Sequence, residues 1–470
     1  MYQSIPIQIA GPSYESRSKP LSSQRTVNLY PQQNQVDESY TLMSFPGLKV
    51  ESGFNDNSTG RGLTRMKEKL YRVKGGELFE VGAFGGHTSK GEISNNDKCI
   101  FSNDGVNLFI VTNGEVYVYS SDTDLVKDLT SFFNAPVLSV DYINEQFLFT
   151  LSFATVMTTF DNVTKTLSSI GEIDAITRPD DLVRDFVFEQ TIWRCGVRTM
   201  EAWYNSGAGT PPISRIEGQI FDTGLAAIHS ISQNDDAFYW LGSDYSIYRA
   251  RGGTKERISH DGISNKLSKI DVSNAVGNCF TLEGQNFYSL KVGNLTYAVN
   301  ESLGQMGWFE LSSGLNGDAW QGVSIIDCYG KLWVDDQANG NIYTLDLDAF
   351  TNNSLPIRRE RVTVPITGAI VGVKGKRIQM SRVEFTMESG VGLITGQGED
   401  PKLIIEASYD GGKTWAHEGW AELGRLGDNT HRVEWFNISN FTEIMIRISL
   451  TDPVPLFIYS GVIDLKLGGR

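Results

Sequence analysis

The chain has 470 residues, a formal net charge of −15, 21% charged residues and 40% hydrophobic ones. That length exceeds a single ordinary core and predicts two domains, and the composition is globular rather than disordered. So acidic a surface repels phosphate backbones, which argues against a dedicated nucleic-acid-binding role.

Residues 1–50 read as an extended N-terminal arm. Its text is Gly11-Pro-Ser-Tyr-Glu-Ser-Arg-Ser-Lys-Pro-Leu-Ser-Ser-Gln-Arg-Thr-Val-Asn-Leu-Tyr-Pro31, followed by Ser44-Phe-Pro-Gly-Leu48. Residues before Pro12, Pro20, Pro31 and Pro46 are pushed out of the helical region. An arm of this kind cannot bury its own backbone, so it must lie along a folded body or a neighbouring subunit.

From residue 51 to about 350 the sequence repeats. With 48 glycines and 11% aromatics it favours all-β architecture, where turns need positive φ and strands favour bulky rings. Leu70-Tyr-Arg-Val73, Gly75-Gly76 and Glu77-Leu-Phe-Glu-Val81 open the series. Leu108-Phe-Ile-Val111 and Val116-Tyr-Val-Tyr119 then flank Asn113-Gly114, a hairpin signal that needs φ > 0 at both central positions. Related units start at Gln146, Gln190, Ala237, Gln285 and Lys331. Their spacing of roughly 40–50 residues is that of four-stranded propeller blades. We count seven units, the first weak, so the reading is a β-propeller of about seven blades, with six possible. Runs such as Leu108–Val111, apolar without alternation, suit strands covered on both faces; a set of β-sandwich modules would alternate more. The segment 122–133 carries Leu125, Leu129, Phe132 and Phe133 at helical spacing, and is read as a short helix or a blade-connecting loop. The Gly/Thr-rich stretch 203–217 is read as an inter-blade or interface loop.

Beyond Leu347 the character changes. Asn352-Asn-Ser-Leu-Pro356 reads as a linker. Alternating strands follow at Arg382–Met387, Lys402–Ala407, Arg432–Phe436, Glu443–Leu450 and Gly461–Leu467. Alternation means one buried and one wet face, so residues 351–470 form a C-terminal β-sandwich-like domain that starts between 350 and 370. Within it Ser408, Asp410, Gly412, Thr414 and Trp415 match an S-x-D-x-G-x-T-W Asp box. This motif specifies a hairpin, with Asp410 on turn amides and Gly412 at positive φ, and says nothing about chemistry.

No catalytic constellation stands out. The five histidines (His87, His229, His260, His417, His431) form no metal motif, and no G-x-S-x-G elbow occurs. Asp180-Asp181, Asp235-Asp236 and Asp335-Asp336 are read as solvated turns, and Phe84-Gly-Gly-His87 as a β-turn rather than a phosphate cradle. Cys99, Cys195, Cys279 and Cys328 lack ligand spacing and read as buried, reduced thiols. No cofactor or metal is expected. There is no basic-then-apolar leader and no run of ~18 apolar residues, which predicts folding in a cytoplasm without a membrane anchor. The triplets at Asn162 and Asn294 then carry no glycan.

The arm pattern G-P-S-Y-x-x-R-S-x-P-x-S-x-Q-R-x-V-N-x-Y-P with its Phe-Pro-Gly turn resembles the tail hub, or packaged-DNA stabilisation, proteins of short-tailed bacteriophages. The Leu-Tyr-Arg-Val-x-Gly-Gly blade, the Glu201-Ala-Trp-Tyr204 strand and the Tyr409-Asp-Gly hairpin follow in the family's order. The resemblance implies a non-enzymatic virion tail protein, assembled in the host cytoplasm. Six copies would form a ring that joins the portal and adaptor to the distal tail, extends the DNA channel and helps retain packaged DNA. Implied partners are the head-to-tail adaptor, a tail needle or plug, and tailspikes or fibres, while genomic DNA passes without sequence-specific binding. Tyr14, Arg17, Arg25, Asn28 and Tyr30 carry over as arm positions, either in intersubunit contact or pinning the arm to its own propeller. The alternative function is a carbohydrate-binding or glycan-cleaving propeller using Trp203, Trp240 or Trp320. A sialidase would need several Asp boxes and an Arg-Ile-Pro start, which this chain lacks.

Overall fold

The computed structural model describes residues 2–19, 22–34, 39–53, 58–94, 97–174, 180–373, 375–436, 438 and 440–467. Pro20 of the arm lies outside them. The protein is all-β, as its composition predicts, and consists of a β-propeller with six blades continuous in sequence, the lower of the two numbers the repeats allow rather than seven, followed by a β-sandwich.

Six blades are continuous in sequence. Each is an antiparallel meander of four strands: Gly60–Glu92, Ile100–Asp128, Ser139–Asp174, Leu182–Phe221, Ser232–Arg257 and Val276–Glu310 in outer bounds, numbered blades 1 to 6 here. The last repeat unit has only three strands of its own, Gly322–Cys328, Lys331–Asp336 and Ile342–Asp346. It takes its fourth from the arm, where Gly47–Ser52 pairs with Ile342–Asp346 from Leu48↔Leu345 to Ser52↔Ile342. This composite sheet closes the ring between blade 6 and blade 1. Gly47 fits because it lies against the Thr351 and Ala349 carbonyls, where a Cβ would come within 2.3 Å of an oxygen.

The non-alternating runs fold as the two-faced argument requires. Leu108 and Ile110 pack with Tyr71 and Val73 of blade 1, while Phe109 and Val111 pack with Phe147 and Phe149 of blade 3. At Asn113 and Gly114 the turn has φ of 46° and 86°.

Several local expectations change. Segment 122–133 forms the outer strand Leu125–Asp128 of blade 2 and a single 3-10 turn, Thr130–Phe132. Its helical spacing has no core to face, because Leu125 is 65% exposed and the backbone instead pairs with Glu115–Ser120. The stretch 203–217 is not a connection between blades: Met200–Asn205 and Ile213–Phe221 are consecutive strands of blade 4, and residues 206–212 are their hairpin loop. Asp335 and Asp336 are not solvated turn residues but almost fully buried ones. The α-helix at Asp261–Leu267 is capped by His260, whose Nδ1 accepts from the Ile263 amide. All four cysteines are unpaired; three are buried and Cys279 is half-buried.

In the C-terminal domain two sheets face each other over a core that includes Ile378, Val383, Leu403, Ile446 and Ile463. One sheet holds Ile378–Met387, Val433–Phe436 and Ile458–Leu467; the other holds Arg359–Val362, Lys402–Ser408, Ala416–Glu422 and Glu443–Leu450. The expected linker 352–356 is a short hairpin whose Asn352 pairs with Leu48 of the composite sheet.

Candidate functional site

The arm is the most unusual part of the molecule, because it belongs to both domains. Tyr2–Ile7 pairs antiparallel with Ile458–Leu467, adding a strand to one sandwich sheet. Ser23–Val27 pairs with Arg359–Val362 on one side and meets Glu310 of blade 6 on the other. One sheet therefore runs from the propeller, through the arm, into the sandwich. Side-chain alternation then sends neighbouring residues into different cores. Leu29 is buried in the sandwich core with Leu42, whereas Tyr30 is buried with Phe45, Phe287 and Phe309 against blade 6.

Each arm residue singled out by sequence can be placed. Tyr14 packs edge-on against His260 with ring centroids 4.7 Å apart. Arg25 Nη2 lies 2.6 Å from Glu310 Oε2, with Glu360 at 3.7 Å from Nη1. Burial pushes the Glu310 carboxyl up, but Arg25, Lys266 and the Ser13 hydroxyl more than reverse this and hold it at about 2. Asn28, with φ of 52°, donates from Nδ2 to the Arg358 carbonyl at 2.8 Å and the Ser312 carbonyl at 3.1 Å, and accepts from the Ser312 amide at 3.0 Å. The Tyr30 hydroxyl donates to Glu283 at 3.1 Å. Arg17 is exposed and touches no acidic partner among the described residues. Four of the five thus lie against the chain's own propeller, and Arg17 faces solvent.

Sequence reasoning missed Arg359 and Arg361. Both are fully buried. Arg361 donates to the Gly11 carbonyl at 3.1 Å and to Thr26 Oγ1 at 2.8 Å, and Arg359 to the Phe350 carbonyl at 2.9 Å. With carbonyls rather than carboxylates around them, burial pulls both guanidinium groups down to about 9. Gly11 leaves room for the Arg361 guanidinium, since a Cβ there would lie 2.7 Å from Nη2.

The Asp box folds as its spacing requires. Asp410 Oδ1 accepts from the Lys413 and Thr414 amides, both at 2.9 Å, and Oδ2 accepts from the Thr414 hydroxyl at 2.6 Å. These donors, Thr414 first, hold the Asp410 carboxyl well below the usual range. Gly412 has φ of 85° and its amide donates to Ser408 Oγ at 2.8 Å. Trp415 lies under the Arg447 guanidinium, 4.4 Å from the ring centroid. The tip touches the arm, since Ser23 Oγ donates to the Gly411 carbonyl at 3.2 Å.

Of the tryptophans considered for sugar stacking, Trp240 and Trp320 are core residues, 0% and 2% exposed. Trp203 is half-buried beside Arg194. Among the described residues no group of three His, Cys, Asp or Glu side chains is placed to hold a metal ion, and no helix is long and apolar enough to cross a membrane.

Two family models match in tandem: residues 3–350 match the Bacteriophage P22 Gp10 β-propeller, of the phage-stabilisation family, and residues 366–466 match the Bacteriophage P22 Gp10 β-sandwich. No curated protein matches the chain. Among solved structures, the computationally designed Ika8 protein is similar at TM-score 0.41 and 9% identity, over 64% of this chain and 99% of its own. The extracellular domain of the putative one component system BT4673 from B. thetaiotaomicron is similar at TM-score 0.42 and 11% identity, over 83% of this chain and 49% of its own. The RRP9 WD40 repeats reach 0.41 at 9% identity, over 64% of this chain and 99% of theirs. The arm, propeller and sandwich together are accounted for by the tandem family match: the chain belongs to the bacteriophage P22 Gp10 family of phage structural tail proteins.

Proposed function

We propose that this chain is the hub subunit of a short phage tail, joining the portal and adaptor to the distal tail and helping to retain the packaged genome. Six copies form a closed ring that extends the DNA channel, and the adaptor, a tail needle or plug, and tailspikes or fibres attach to it. No bond is made or broken; the work is mechanical. The observation that carries the reading is the sheet that passes from blade 6 through Ser23–Val27 into the sandwich. A joint between two structures under internal pressure has to resist shear between its domains. Shared main-chain hydrogen bonds do this better than a side-chain interface, which in most chains permits relative domain motion.

Two further features support the reading. A net charge of −15 suits a conduit along which DNA slides without adhering. Cyclic closure lets individually weak contacts between copies become strong together, and exposed Arg17 is available for such contacts. The test is the DNA content of particles assembled without this chain. The expected result is that packaging proceeds, the genome leaks, and purified protein added back seals the heads. Particles that keep their DNA and lose only adsorption would overturn it in favour of a receptor-binding role.

A further inference from the structure

Two adjoining cavities, of about 340 and 220 Å³, open where the innermost strands of blades 1, 2 and 6 begin near the propeller axis. In a protein of net charge −15 their lining is positive. Among the described residues it includes Arg61, Lys98, Arg184 and Lys291, against Asp97 as the one carboxylate.

The four cations are not equivalent. Arg61 is spent on its own surroundings, with Nη1 donating to the Gly75 carbonyl at 2.8 Å and Nη2 to Thr112 Oγ1 at 2.6 Å. Arg184 donates to the Ile228 carbonyl at 3.0 Å and is opposed by half-buried Asp141. The two lysines differ. Among the described residues Lys98 Nζ has one carbonyl partner, Asn274 at 3.3 Å, and Lys291 Nζ has two, Trp320 at 2.5 Å and Gly322 at 3.1 Å. An ammonium group has three N–H donors, so donors on both lysines remain for a ligand in the larger cavity. Neither neighbouring acid takes them. Asp97 Oδ1 accepts from the Lys98 amide at 2.7 Å, and Asp336 behind Lys291 accepts from the Tyr343 hydroxyl at 2.7 Å. Burial, reinforced by Lys98, pulls the Lys291 ammonium down to about 8 although Asp336 opposes it. Two like charges facing one partly buried space are stabilised by an anion between them.

We propose that this cavity binds one small oxyanion, a phosphate or carboxylate group, between Lys98 and Lys291. Neutral donors on the rim, Thr59 and Gln337, complete its surroundings. Such an ion fastens the ring where it closes. Lys98 precedes blade 2 and already reaches Asn274 ahead of blade 6, spanning the composite sheet and blade 1, where the propeller closes. The inference is independent of any role in a tail, since its readout is binding and stability of the isolated chain.

The experiment is calorimetric titration of inorganic phosphate, then citrate, into the full chain at pH 7 and constant ionic strength, beside thermal unfolding in phosphate and in chloride. The expected result is saturable binding of one ion per chain, weakened about tenfold or more in Lys98→Gln and in Lys291→Met. Excluded salts such as phosphate raise thermal midpoints without binding, so an equal rise in wild type and both variants overturns the proposal. So does the lack of saturable heat with either anion up to about 10 mM. Should Lys291→Met not fold, the comparison rests on Lys98→Gln, whose side chain is partly exposed and whose loss leaves the core intact.

Discussion

Arg25 of the arm and Glu310 of blade 6 form the ion pair on which the junction turns, with Nη2 2.6 Å from Oε2. Glu310 is 8% exposed, while the Arg25 side chain is 40% exposed. Removing Arg25 therefore leaves a buried carboxylate facing only Lys266 and Ser13. Breaking a fully buried pair costs about 3–5 kcal/mol, and screening at the exposed arginine reduces this, so Arg25→Met should cost about 1–3 kcal/mol. The folded carboxyl titrates at about 2, below its ordinary value of 4.5. The contribution is thus complete above pH 4.5 and is lost as pH falls toward 2. Thermal unfolding at pH 7 and pH 3 should show wild type and Arg25→Met well separated at the first and converging at the second.

Asn28 is the hinge pin of the same junction. Its side chain ties the arm to Ser312 of the propeller segment and to Arg358 at the start of the sandwich. Asn28→Ala leaves those buried groups unpaired and keeps a Cβ at φ of 52°, which should cost about 2–4 kcal/mol. Asn28→Gly loses the same side-chain bonds but relieves the backbone strain, and should recover about 1 kcal/mol of that loss. Limited proteolysis of the two variants should cut first within the arm, and Gly should be the slower; equal rates would mean the conformation of residue 28 is immaterial.

Three histidines give the protein an acid limit. Burial holds His87 and His260 down at about 4 and His229 at about 3, with Arg72 acting on His87, and Arg184 and Lys98 on His229. The unfolded chain binds protons near pH 6.5, before the folded one does, so stability is complete above 6.5 and declines as pH falls from 6.5 toward 4. By pH 5 the loss is up to about 2 kcal/mol per histidine. Thermal midpoints at steps between pH 7 and 5 should fall, and His87→Gln should flatten part of that slope.

How far this was legible in the sequence depends on where each residue's partners lie. Leu108–Val111 announced a strand covered on both faces because the covering blades impose one rule on every residue in it. Segment 122–133 misled because helical spacing is informative only when a core faces it, and Leu125 faces water. Tyr14, Arg25, Asn28 and Tyr30 could be picked out by pattern, but not their partners, because Glu310 and Arg358 lie 285 and 330 positions away. Burial of Arg359 and Arg361 was hidden for the same reason. A guanidinium that donates to carbonyl and hydroxyl oxygens leaves no acidic counterpart in the sequence to point at it. The composite closing sheet was hidden likewise: Gly47–Ser52 reads as arm, and only pairing with Ile342–Asp346 makes it a blade strand.

The contact between the Asp-box hairpin and the arm gives a final test, because it separates a local motif from its use. Asp410, Ser408 and Thr414 bond to one another within the hairpin, and none of these bonds involves the arm. Gly412, however, has φ of 85° and its missing Cβ would lie 2.9 Å from the Cβ of Ser23. Gly412→Ala adds left-handed strain and forces the hairpin off the arm, and should cost about 1–3 kcal/mol. Ser23→Gly removes the opposing Cβ and the bond to the Gly411 carbonyl, and so relieves only the collision. In a double-mutant cycle, Ser23→Gly should restore part of the stability lost in Gly412→Ala, with a coupling of about 0.5 kcal/mol or more. Strict additivity would show that the hairpin accommodates the added methyl without meeting Ser23.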